Sequence, residues 1–472
     1  MEGLRKGSEL ELLVDKLVFG GRALSRLDGF VVLMDRALPG QKVHVRIVKK
    51  KANYAEAQVI RVLEPSPHQI QPACSHFGVC GGCLWQDLDY AEQLLWKHRH
   101  VTECLGGVPV ELGSPIEDVT PSPVLYEYRN KMEFTFSAHR WLSADEVACT
   151  ETAYDRSFAL GLHVRGRFDR VFDVHDCRLE SAEAMAVVDL VRRGARESGL
   201  SPYHIRTHQG VWRFVVVREA KKTGQRLVHL ITAEGPGTER AVERIGRLLE
   251  SHGPPVTTFV HSINRTRAHV AQGEDARVLW GAGAIEEHVG TLRFRISAQS
   301  FFQTNTLGAE RLYEAVRESA GLTGTETVWD LYCGTGSIAL SLASQARKVT
   351  GFELIEDAVA DAYRNAALND VENCRFFAGD LKDVLRHTPR EVLGGAPDVI
   401  ITDPPRSGMH PKVVKALLEL APRRIVAVSC NPSTLARDLT ALAQAYTVHS
   451  VRPFDLFPHT PHIECVVRLD RK

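Results

Sequence analysis

The sequence predicts a multidomain α/β protein whose C-terminal domain is built on a mostly parallel sheet. From Thr291 onward, strand-like apolar segments alternate regularly with helical segments, which is the pattern of βαβ units. The first 65 or so residues show short strand-like runs broken by glycine and proline turns, the pattern of a small β-domain. A chain of 472 residues, 44% apolar and 25% charged, is globular in composition and too long for one core. We therefore expect three units, at 1–67, 68–290 and 291–472.

The first unit contains four strand candidates separated by turn dipeptides. The candidates are Leu12–Leu17, Phe30–Met34, Lys42–Val48 and Glu56–Leu63. Five or so short antiparallel strands predict a small barrel of the oligonucleotide-binding type. The placement of the glycines and of the Pro39-Gly40 turn resembles a TRAM domain, and this resemblance implies RNA binding. The run Lys49–Lys51 suits such a role, although a short lysine run is more often a solvated hairpin tip.

The middle unit mixes helical and strand patterns, so we expect an α+β domain. An amphipathic helix is predicted from about Tyr90 to Leu105, after a proline-rich linker. Two apolar, β-branched runs, Val211–Val217 and Arg226–Thr232, are predicted to pair as strands. Within this unit, the segment Tyr126–Phe134 places aromatic residues among basic ones, a composition that suits base stacking and phosphate contact as well as an ordinary amphipathic strand.

Three cysteines lie close together at the start of the middle unit. Cys74, Cys80 and Cys83 are flanked by glycines, which allow the backbone to wrap tightly around a metal centre. Clustered cysteines in a chain without a secretory signal indicate metal ligation more often than disulfides. Zinc and a [4Fe–4S] cluster both accept thiolates, and the residues alone leave the two open.

The C-terminal unit opens its sheet with a glycine loop. The strand that begins at Val328 runs into Gly334 and Gly336, where the missing Cβ lets a ligand approach the backbone. Glu353 ends the next strand about twenty residues later, where dinucleotide folds place an acid that binds ribose hydroxyls. The third glycine of the dinucleotide fingerprint is replaced by Ala339. The loop instead resembles motif I of class I methyltransferases, which implies S-adenosylmethionine as the cofactor.

Later strands of this unit end in further candidate residues. The strand Cys374–Ala378 leads to Asp380, and the strand that ends at Thr402 leads to Asp403. Ligands of open α/β sheets bind outside the carboxyl ends of the strands, so these acids are expected near the cofactor. Cys430 follows the next strand and precedes a helix, whose N-terminus is expected to stabilise a thiolate. Cys333, by contrast, is expected to pack against the sheet.

Four separated motifs resemble the RNA uracil-5-methyltransferases. They are Ser300–Asn305, Asp403–Gly408, Val428–Pro432 and Phe454–Glu464. Within that family, the chain resembles the branch with a TRAM domain and a [4Fe–4S] cluster, which implies 23S ribosomal RNA as the substrate. A transfer RNA T-loop uridine is the alternative substrate. A protein that only binds RNA would not need Cys430 and Glu464 together, and the Asn-Pro-Pro-Tyr-type motif for amino-group methylation is absent.

The family resemblance also implies a role for each candidate residue. It makes Cys430 the nucleophile that attacks carbon 6 of uracil and Glu464 the base that removes the carbon 5 proton. It makes Cys177 the fourth cluster ligand and leaves Cys104 and Cys149 as bystanders. The residues it implies for RNA binding are Arg129, Asn130 and Lys131. The residues it implies for the cofactor are Gln303, Tyr332, Gly334, Ser337, Glu353, Asp380 and Asp403. Asp403 could contact either the cofactor or the uracil ring, and we favour a place between them.

The composition also bears on how the protein binds RNA, where it is located and whether it has a membrane partner. The formal net charge is zero, so any RNA-binding surface must be a local basic patch and not the whole protein. No apolar run has the length of a membrane span, and the charged start of the chain lacks a secretory apolar segment. We therefore expect a cytoplasmic protein without a membrane partner, acting as a monomer.

Overall fold

The computed structural model describes residues 4–107, 109, 112–149 and 152–472. These residues form sheets of six, eight, two and seven strands, taken in chain order. The fold class predicted from the sequence, α/β with a small N-terminal β-domain, is confirmed. No helix of the described ranges is long and apolar enough to cross a membrane.

The N-terminal sheet has six strands in the order β1-β5-β6-β4-β3-β2. Its strands are β1 (Glu9–Leu13), β2 (Lys16–Leu17), β3 (Ala23–Leu27), β4 (Phe30–Met34), β5 (Lys42–Lys50) and β6 (Tyr54–Glu64). Sequence reasoning missed β3 and joined β1 to β2, which are separate because the N–H of Val14 turns to donate to the Gln41 carbonyl at 2.9 Å. The pairing is antiparallel except between β4 and β6. Lys49–Lys51 lie exposed at the β5–β6 hairpin tip.

The central region contains helix α1 (Tyr90–Gly106) and an eight-stranded sheet, as the sequence predicted in outline. The strands are β7 (Lys131–Ser137), β8 (Arg140–Trp141), β9 (Ala159–His163), β10 (Val171–Asp173), β11 (Trp212–Glu219), β12 (Arg226–Thr232), β13 (Thr258–Ile263) and β14 (Glu274–Trp280). The helices are α2 (Ala144–Ala148), α3 (Ala182–Glu197) and α4 (Thr238–His252). The predicted strand pair, β11 and β12, is antiparallel and buried on both faces.

The C-terminal region begins with a hairpin and continues into a seven-stranded sheet of order β19-β18-β17-β20-β21-β23-β22. The strands are β15 (Ala284–Val289), β16 (Leu292–Ser297), β17 (Thr327–Leu331), β18 (Lys348–Glu353), β19 (Cys374–Ala378), β20 (Val399–Thr402), β21 (Arg424–Ser429), β22 (Tyr446–Phe454) and β23 (Glu464–Arg471). The helices are α5 (Thr306–Ala320), α6 (Ser337–Ala343), α7 (Glu356–Leu368), α8 (Leu381–His387), α9 (Pro411–Leu420) and α10 (Pro432–Leu442).

Strand direction decides where the candidate residues meet. Strands β17 to β21 are mutually parallel, so the residues that follow them gather at one edge of the sheet. Strand β23 runs antiparallel to β21, so its first residue, Glu464, starts at the same edge where β21 ends. This topology brings the motifs at 403, 430 and 464 together although they are spread over sixty residues.

Candidate active site

The loop after β17 forms the floor of the candidate cofactor site. Gly334 and Gly336 have φ of 54° and 83°, a region that favours glycine, and Tyr332 takes φ 66° despite its side chain. A Cβ placed on Gly334 would meet no protein atom within 4 Å, so the space in front of this glycine is open. The loop can therefore receive a ligand against its backbone.

Glu353 braces this loop from the neighbouring strand. The N–H of Gly334 donates to Glu353 Oε2 at 3.0 Å, and the N–H groups of Leu354 and Ile355 donate to Oε1 at 2.7 and 3.0 Å. The carboxylate is therefore fixed at the end of β18 by backbone bonds. Its position agrees with the sequence expectation of an acid beside the glycine loop.

Tyr332 and Ser337 flank the same loop in the chain, and Asp380 follows β19, the strand that pairs with β18. Ser337 begins α6 and accepts a hydrogen bond from the Tyr313 hydroxyl at 2.9 Å. Asp380 caps α8 and forms an ion pair with Lys382 at 2.8 Å, which lowers the pKa of that carboxyl. Burial, and then the nearby Asp438 and Asp380, raise the pKa of Tyr332 to about 12. Tyr332 and Asp380 are therefore close in space.

Sequence reasoning missed Asp330, which lies inside β17. Its side chain is fully buried and neither carboxyl oxygen has a hydrogen-bond partner within the described part of the chain. Burial, followed by the nearby Asp403, raises the pKa of Asp330 well above its usual value. An acid in an otherwise apolar strand was the available sequence signal.

Cys430, Glu464 and Asp403 form an electrostatically linked group at the sheet edge. Glu464 is 4% exposed, and burial followed by Asp403 raises the pKa of its carboxyl well above the usual value. Burial raises the pKa of Asp403 to about 6. Both carboxyl groups act on Cys430 and raise the pKa of its thiol. Three residues from three separate motifs therefore interact electrostatically at one edge of the sheet.

The expectation that a helix N-terminus stabilises the Cys430 thiolate is wrong for the free protein. Burial is the main cause that raises the pKa of Cys430 to about 11, and Glu464 adds to it. The first amides of α10 are already engaged, because Asn431 Oδ1 accepts from the N–H of Ser433 at 3.1 Å and from that of Thr434. Pro432 has no N–H to offer. The thiol is therefore protonated at neutral pH in this structure.

Arg406 supplies the positive charge of this group and was not among the predicted site residues. Its charge partly opposes the rise in the pKa of Cys430 and of Glu464. Its carbonyl accepts from Asn431 Nδ2 at 2.9 Å, which ties the loop after β20 to the loop after β21. One of its guanidinium nitrogens lies 3.3 Å from His462 Nδ1. The signal for it was its place in the Asp403–Gly408 motif.

The three predicted RNA-binding residues differ in their surroundings. Asn130 is 4% exposed, and its amide donates to the Gln303 carbonyl at 2.8 Å and to Thr306 Oγ1 at 2.9 Å. These bonds hold the Gln303 motif against the central sheet. Lys131 is half-buried and pairs with Glu133 at 2.6 Å, and Arg129 is also half-buried. Asn130 thus turns its amide inward, while Arg129 and Lys131 keep some contact with solvent.

The aromatic residues of that segment do not provide an exposed stacking surface. Tyr128 is 2% exposed and its hydroxyl donates to the Pro458 carbonyl at 3.3 Å. The ring of Tyr126 stacks on His459 at 4.6 Å between centroids. Both tyrosines therefore contact the segment Phe454–Glu464.

The four predicted cluster cysteines line one cavity of about 240 Å³. Burial, followed by the neighbouring cysteines, raises the pKa of Cys83 to about 12, and burial does the same for Cys177. None of the cysteines forms a disulfide in the described ranges. Among the described residues, however, no three His, Cys, Asp or Glu side chains form a group that could hold a metal ion. The expected metal centre is therefore not confirmed, although the four thiols do converge.

Two segments of the chain match models of known protein families. A family model described as tRNA (uracil-5-)-methyltransferase matches residues 284–472, which hold the glycine loop, Cys430 and Glu464. A TRAM domain model matches residues 3–60, over the N-terminal sheet. Both matches agree with the resemblances found in the sequence.

Whole-chain relatives agree with this assignment. An uncharacterized RNA methyltransferase of Nitratidesulfovibrio vulgaris is 43% identical, over 100% of this chain and 98% of the relative. Another, of Bacteroides thetaiotaomicron, is 40% identical, over 95% of this chain and 99% of the relative. The crystal structure of the Pyrococcus abyssi tRNA (uracil-54, C5)-methyltransferase with S-adenosyl-L-homocysteine is 27% identical, with a TM-score of 0.73, and covers 98% of this chain and 100% of that one. The chain therefore belongs to the S-adenosylmethionine-dependent RNA uracil-5-methyltransferase family.

Proposed function

We propose that this enzyme methylates carbon 5 of a uridine through a covalent bond to Cys430, with Glu464 as the base. The observation that carries the proposal is the meeting of a cysteine and a buried carboxyl group at the facing ends of β21 and β23. Carbon 5 of uracil is a poor nucleophile, so the reaction needs both a nucleophile at carbon 6 and a proton acceptor. The two residues supply these two functions.

The reaction balances with these two residues and a sulfonium methyl donor, which gives up its methyl group and leaves as a neutral thioether. The Cys430 sulfur bonds to carbon 6, and the electrons of the 5,6 double bond move into an enolate. Carbon 5 then takes the methyl group, and Glu464 accepts the proton that carbon 5 loses. The double bond re-forms as the carbon–sulfur bond breaks, which returns Cys430 as thiolate. Burial raises the pKa of Glu464, which makes its carboxylate a stronger proton acceptor for this step.

The first step needs help because Cys430 begins as a thiol. Its pKa of about 11 means that the proton must leave as sulfur attacks, and the surrounding carboxyl groups offer an acceptor. Asp403, with a pKa of about 6, is mainly ionised at neutral pH. We assign Asp403 a place between the cofactor and the uracil ring, where its charge supports both. The positive charge of Arg406 offsets the negative charge that accumulates around Glu464.

Bound S-adenosylmethionine supplies the methyl group on its sulfonium sulfur. We assign seven residues to it. They are Gln303, Tyr332, Gly334, Ser337, Glu353, Asp380 and Asp403. The open space in front of Gly334 and the fixed carboxylate of Glu353 support this assignment.

We further propose 23S ribosomal RNA as the substrate, in a loop or unstacked region. The covalent reaction needs access to the face of the uracil ring, so the uridine must leave its stack or already be unpaired. A transfer RNA uridine is the second candidate, because the structural relative from Pyrococcus abyssi is named a tRNA (uracil-54, C5)-methyltransferase. In either case we assign RNA binding to residues 1–67 and 68–290 and catalysis to 291–472, in a monomer of the cytoplasm.

The experiment that tests this proposal is mass mapping of 5-methyluridine in a strain that lacks the gene. We expect one or more 23S positions to lose the modification and to regain it when the wild-type gene is restored. A gene that encodes Cys430→Ala should not restore it. Loss only in transfer RNA would replace the first substrate by the second, and no loss in either RNA would contradict the proposed function.

We also propose that Cys74, Cys80, Cys83 and Cys177 hold a [4Fe–4S] cluster. The four thiols line one cavity, and their mutual effect on each other's pKa shows that they are close. Zinc sites more often pair two Cys-x2-Cys knuckles, and the four cysteines offer one such spacing, at Cys80 and Cys83, which favours the cluster. Methyl transfer needs no electron, so we assign the cluster a bracing role.

A further inference from the structure

An exposed phenylalanine stands at the tip of the hairpin between β9 and β10. Phe168 is 73% exposed, the largest exposed fraction among the large apolar side chains of the described ranges. The tip is well formed, because the N–H of Arg167 donates to the Val164 carbonyl at 2.9 Å and that of Val164 donates to Arg170 at 3.1 Å. The ring is thus held in solvent by an ordered turn.

Two arginines beside this tip pair with one aspartate that follows β4, and a third arginine follows that aspartate in the chain. Arg165 lies 3.1 Å from Asp35, and Arg22 lies 3.6 Å from the same oxygen. Arg36 follows Asp35 in the chain and is exposed. The pKa of Arg36 is lowered, first by partial burial of its guanidinium group and then by the nearby charge of Arg165. The Nε of Arg22 is buried and has no hydrogen-bond partner in the described residues. We call Arg22, Arg36, Arg165 and Phe168 the arginine seam.

Positive charge exceeds negative charge at the arginine seam. Asp35 is shared between two guanidinium groups and is itself half exposed. The second acid, Glu56, lies 4.0 Å from Arg22 but also 3.5 Å from Lys49. Asp169, next to Phe168, is paired with Arg206 at 3.1 Å. Like charges held together with too few counter-charges form a site that a phosphate would stabilise.

The arginine seam is built on the same elements as the cysteine cavity. The N–H of Gly81 donates to the His163 carbonyl at 3.0 Å, and Cys80 forms a backbone bridge with Val164. A Cβ on Gly81 would lie 2.7 Å from that carbonyl, so the close approach requires glycine. The hairpin is therefore joined to the cysteine loop on one side and, through Arg165 and Asp35, to the N-terminal sheet on the other.

We propose that the arginine seam is a second RNA contact, which binds a backbone phosphate on its arginines and stacks an unpaired base on Phe168. This inference rests on the proposed function, because it takes the ligand to be the RNA that carries the target uridine. Guanidinium groups bind phosphate through paired N–H donors, and an exposed ring offers a stacking face to any base. A single-stranded segment flanking the target uridine combines these two features.

Two variants test the proposal in the full-length protein, with a mixed-sequence single-stranded RNA of thirty nucleotides as the probe. Phe168→Ala should weaken RNA binding by about 5- to 100-fold, and Phe168→Trp should restore it, as base stacking predicts. Arg36→Gln should reduce the slope of log Kd against log salt by about 0.7, which is the loss of one phosphate contact. Leu13→Ala, at a 61% exposed residue, and Arg244→Gln, on α4, serve as matched controls.

S-adenosylmethionine affinity should be unchanged in all five variants, which shows that they are folded. Equal RNA affinity for wild type, Phe168→Ala and Arg36→Gln would overturn the arginine seam. So would failure of Phe168→Trp to restore binding that Phe168→Ala had lost. Adduct formation by the wild type on RNA that contains 5-fluorouridine separates the two hypotheses. If that adduct forms while the variants bind normally, the seam alone fails, and if it never forms, the proposed function fails.

Discussion

Ser429 pairs with Cys465 at the last rung of the antiparallel ladder between β21 and β23. The next residues on the two facing chains are Cys430 and Glu464, one at the end of its strand and one at the start. Glu464 acts on the pKa of the Cys430 thiol, so the two groups are also close electrostatically. The antiparallel strand at the end of an otherwise parallel sheet thus brings the proposed base to the proposed nucleophile.

The first prediction concerns the covalent bond to Cys430. With RNA that contains 5-fluorouridine, fluorine replaces the proton that must leave carbon 5, so the adduct cannot resolve. Wild-type enzyme should form a denaturant-stable protein–RNA adduct, and Cys430→Ala should form none. Cys104→Ala, a half-buried thiol on α1, is the matched control and should form the adduct normally. An adduct of equal yield in Cys430→Ala would exclude this residue as the nucleophile.

The second prediction concerns Glu464 as the base. Glu464→Gln keeps the shape of the side chain but cannot accept a proton, so turnover should fall at least about 100-fold. Attack by Cys430 does not need this base, so adduct should accumulate on ordinary uridine RNA and be visible on a denaturing gel. Glu250→Gln, at an exposed position on α4, should behave as wild type. Unchanged turnover would mean that another group takes the proton.

Local sequence patterns were sufficient for most elements of the C-terminal sheet. Strands β19 and β21 begin and end where their apolar runs predict, although β21 is a buried inner strand and β19 lies at the edge of the sheet with buried and exposed residues. The break between β1 and β2 was missed, because it depends on a bond from Val14 to the distant Gln41 carbonyl. Long-range hydrogen bonds leave no local signal in the sequence.

The candidate site likewise has features that local sequence motifs predict and features that depend on distant residues. Motifs identified Cys430, Glu464 and the glycine loop, since each is a short segment at a strand end. The protonated state of Cys430 could not be predicted, because it depends on burial and on a carboxyl group that is distant in sequence. Likewise, the inward bonds of Asn130 follow from its contact with the Gln303 segment, 173 residues away.

The third prediction concerns pH and Asp403. Its pKa is raised from 3.8 to about 6 in the fold, so the folded state binds this proton more tightly than the unfolded chain. The resulting stability is present below about pH 4 and is lost as pH rises through about 6. Asp403→Asn does not titrate and so keeps its stability as the pH rises. Between pH 4.5 and pH 8, its free energy of unfolding should therefore rise by about 1–3 kcal/mol relative to that of wild type. Urea unfolding at both pH values measures it, and a constant difference between the two proteins would contradict it.

The fourth prediction concerns the cysteine cavity. Protein purified without oxygen should be brown and contain about four irons per chain, as a four-cysteine cubane requires. Cys83→Ser should lose iron and, because Cys177 lies far along the chain, should loosen the central sheet. RNA binding should then fall before S-adenosylmethionine binding does, while Cys104→Ser should keep its iron. One zinc and no iron by metal analysis would contradict the cluster but not the methylation chemistry.

The fifth prediction concerns a buried ion pair beneath the segment that carries Glu464. Lys97 on α1 lies 2.6 Å from Asp455, and both side chains are fully buried. Asp455 Oδ1 also accepts from the N–H of Phe457 at 2.9 Å, and Lys97 donates to the Phe457 carbonyl at 3.1 Å. Helix α1 therefore holds the backbone that leads to the base.

Lys97→Met removes the cation and leaves the Asp455 carboxylate buried without its partner, which should cost about 3–5 kcal/mol of unfolding free energy. Lys97→Met combined with Asp455→Leu should recover part of that loss, since no uncompensated charge remains. If the pair also positions Glu464, the double variant should still resolve its adduct on uridine RNA more slowly than wild type, with unchanged S-adenosylmethionine affinity. Denaturant unfolding and single-turnover adduct decay measure the two effects separately. If the double variant regains stability and its adduct decays at the wild-type rate, the pair only stabilises the fold.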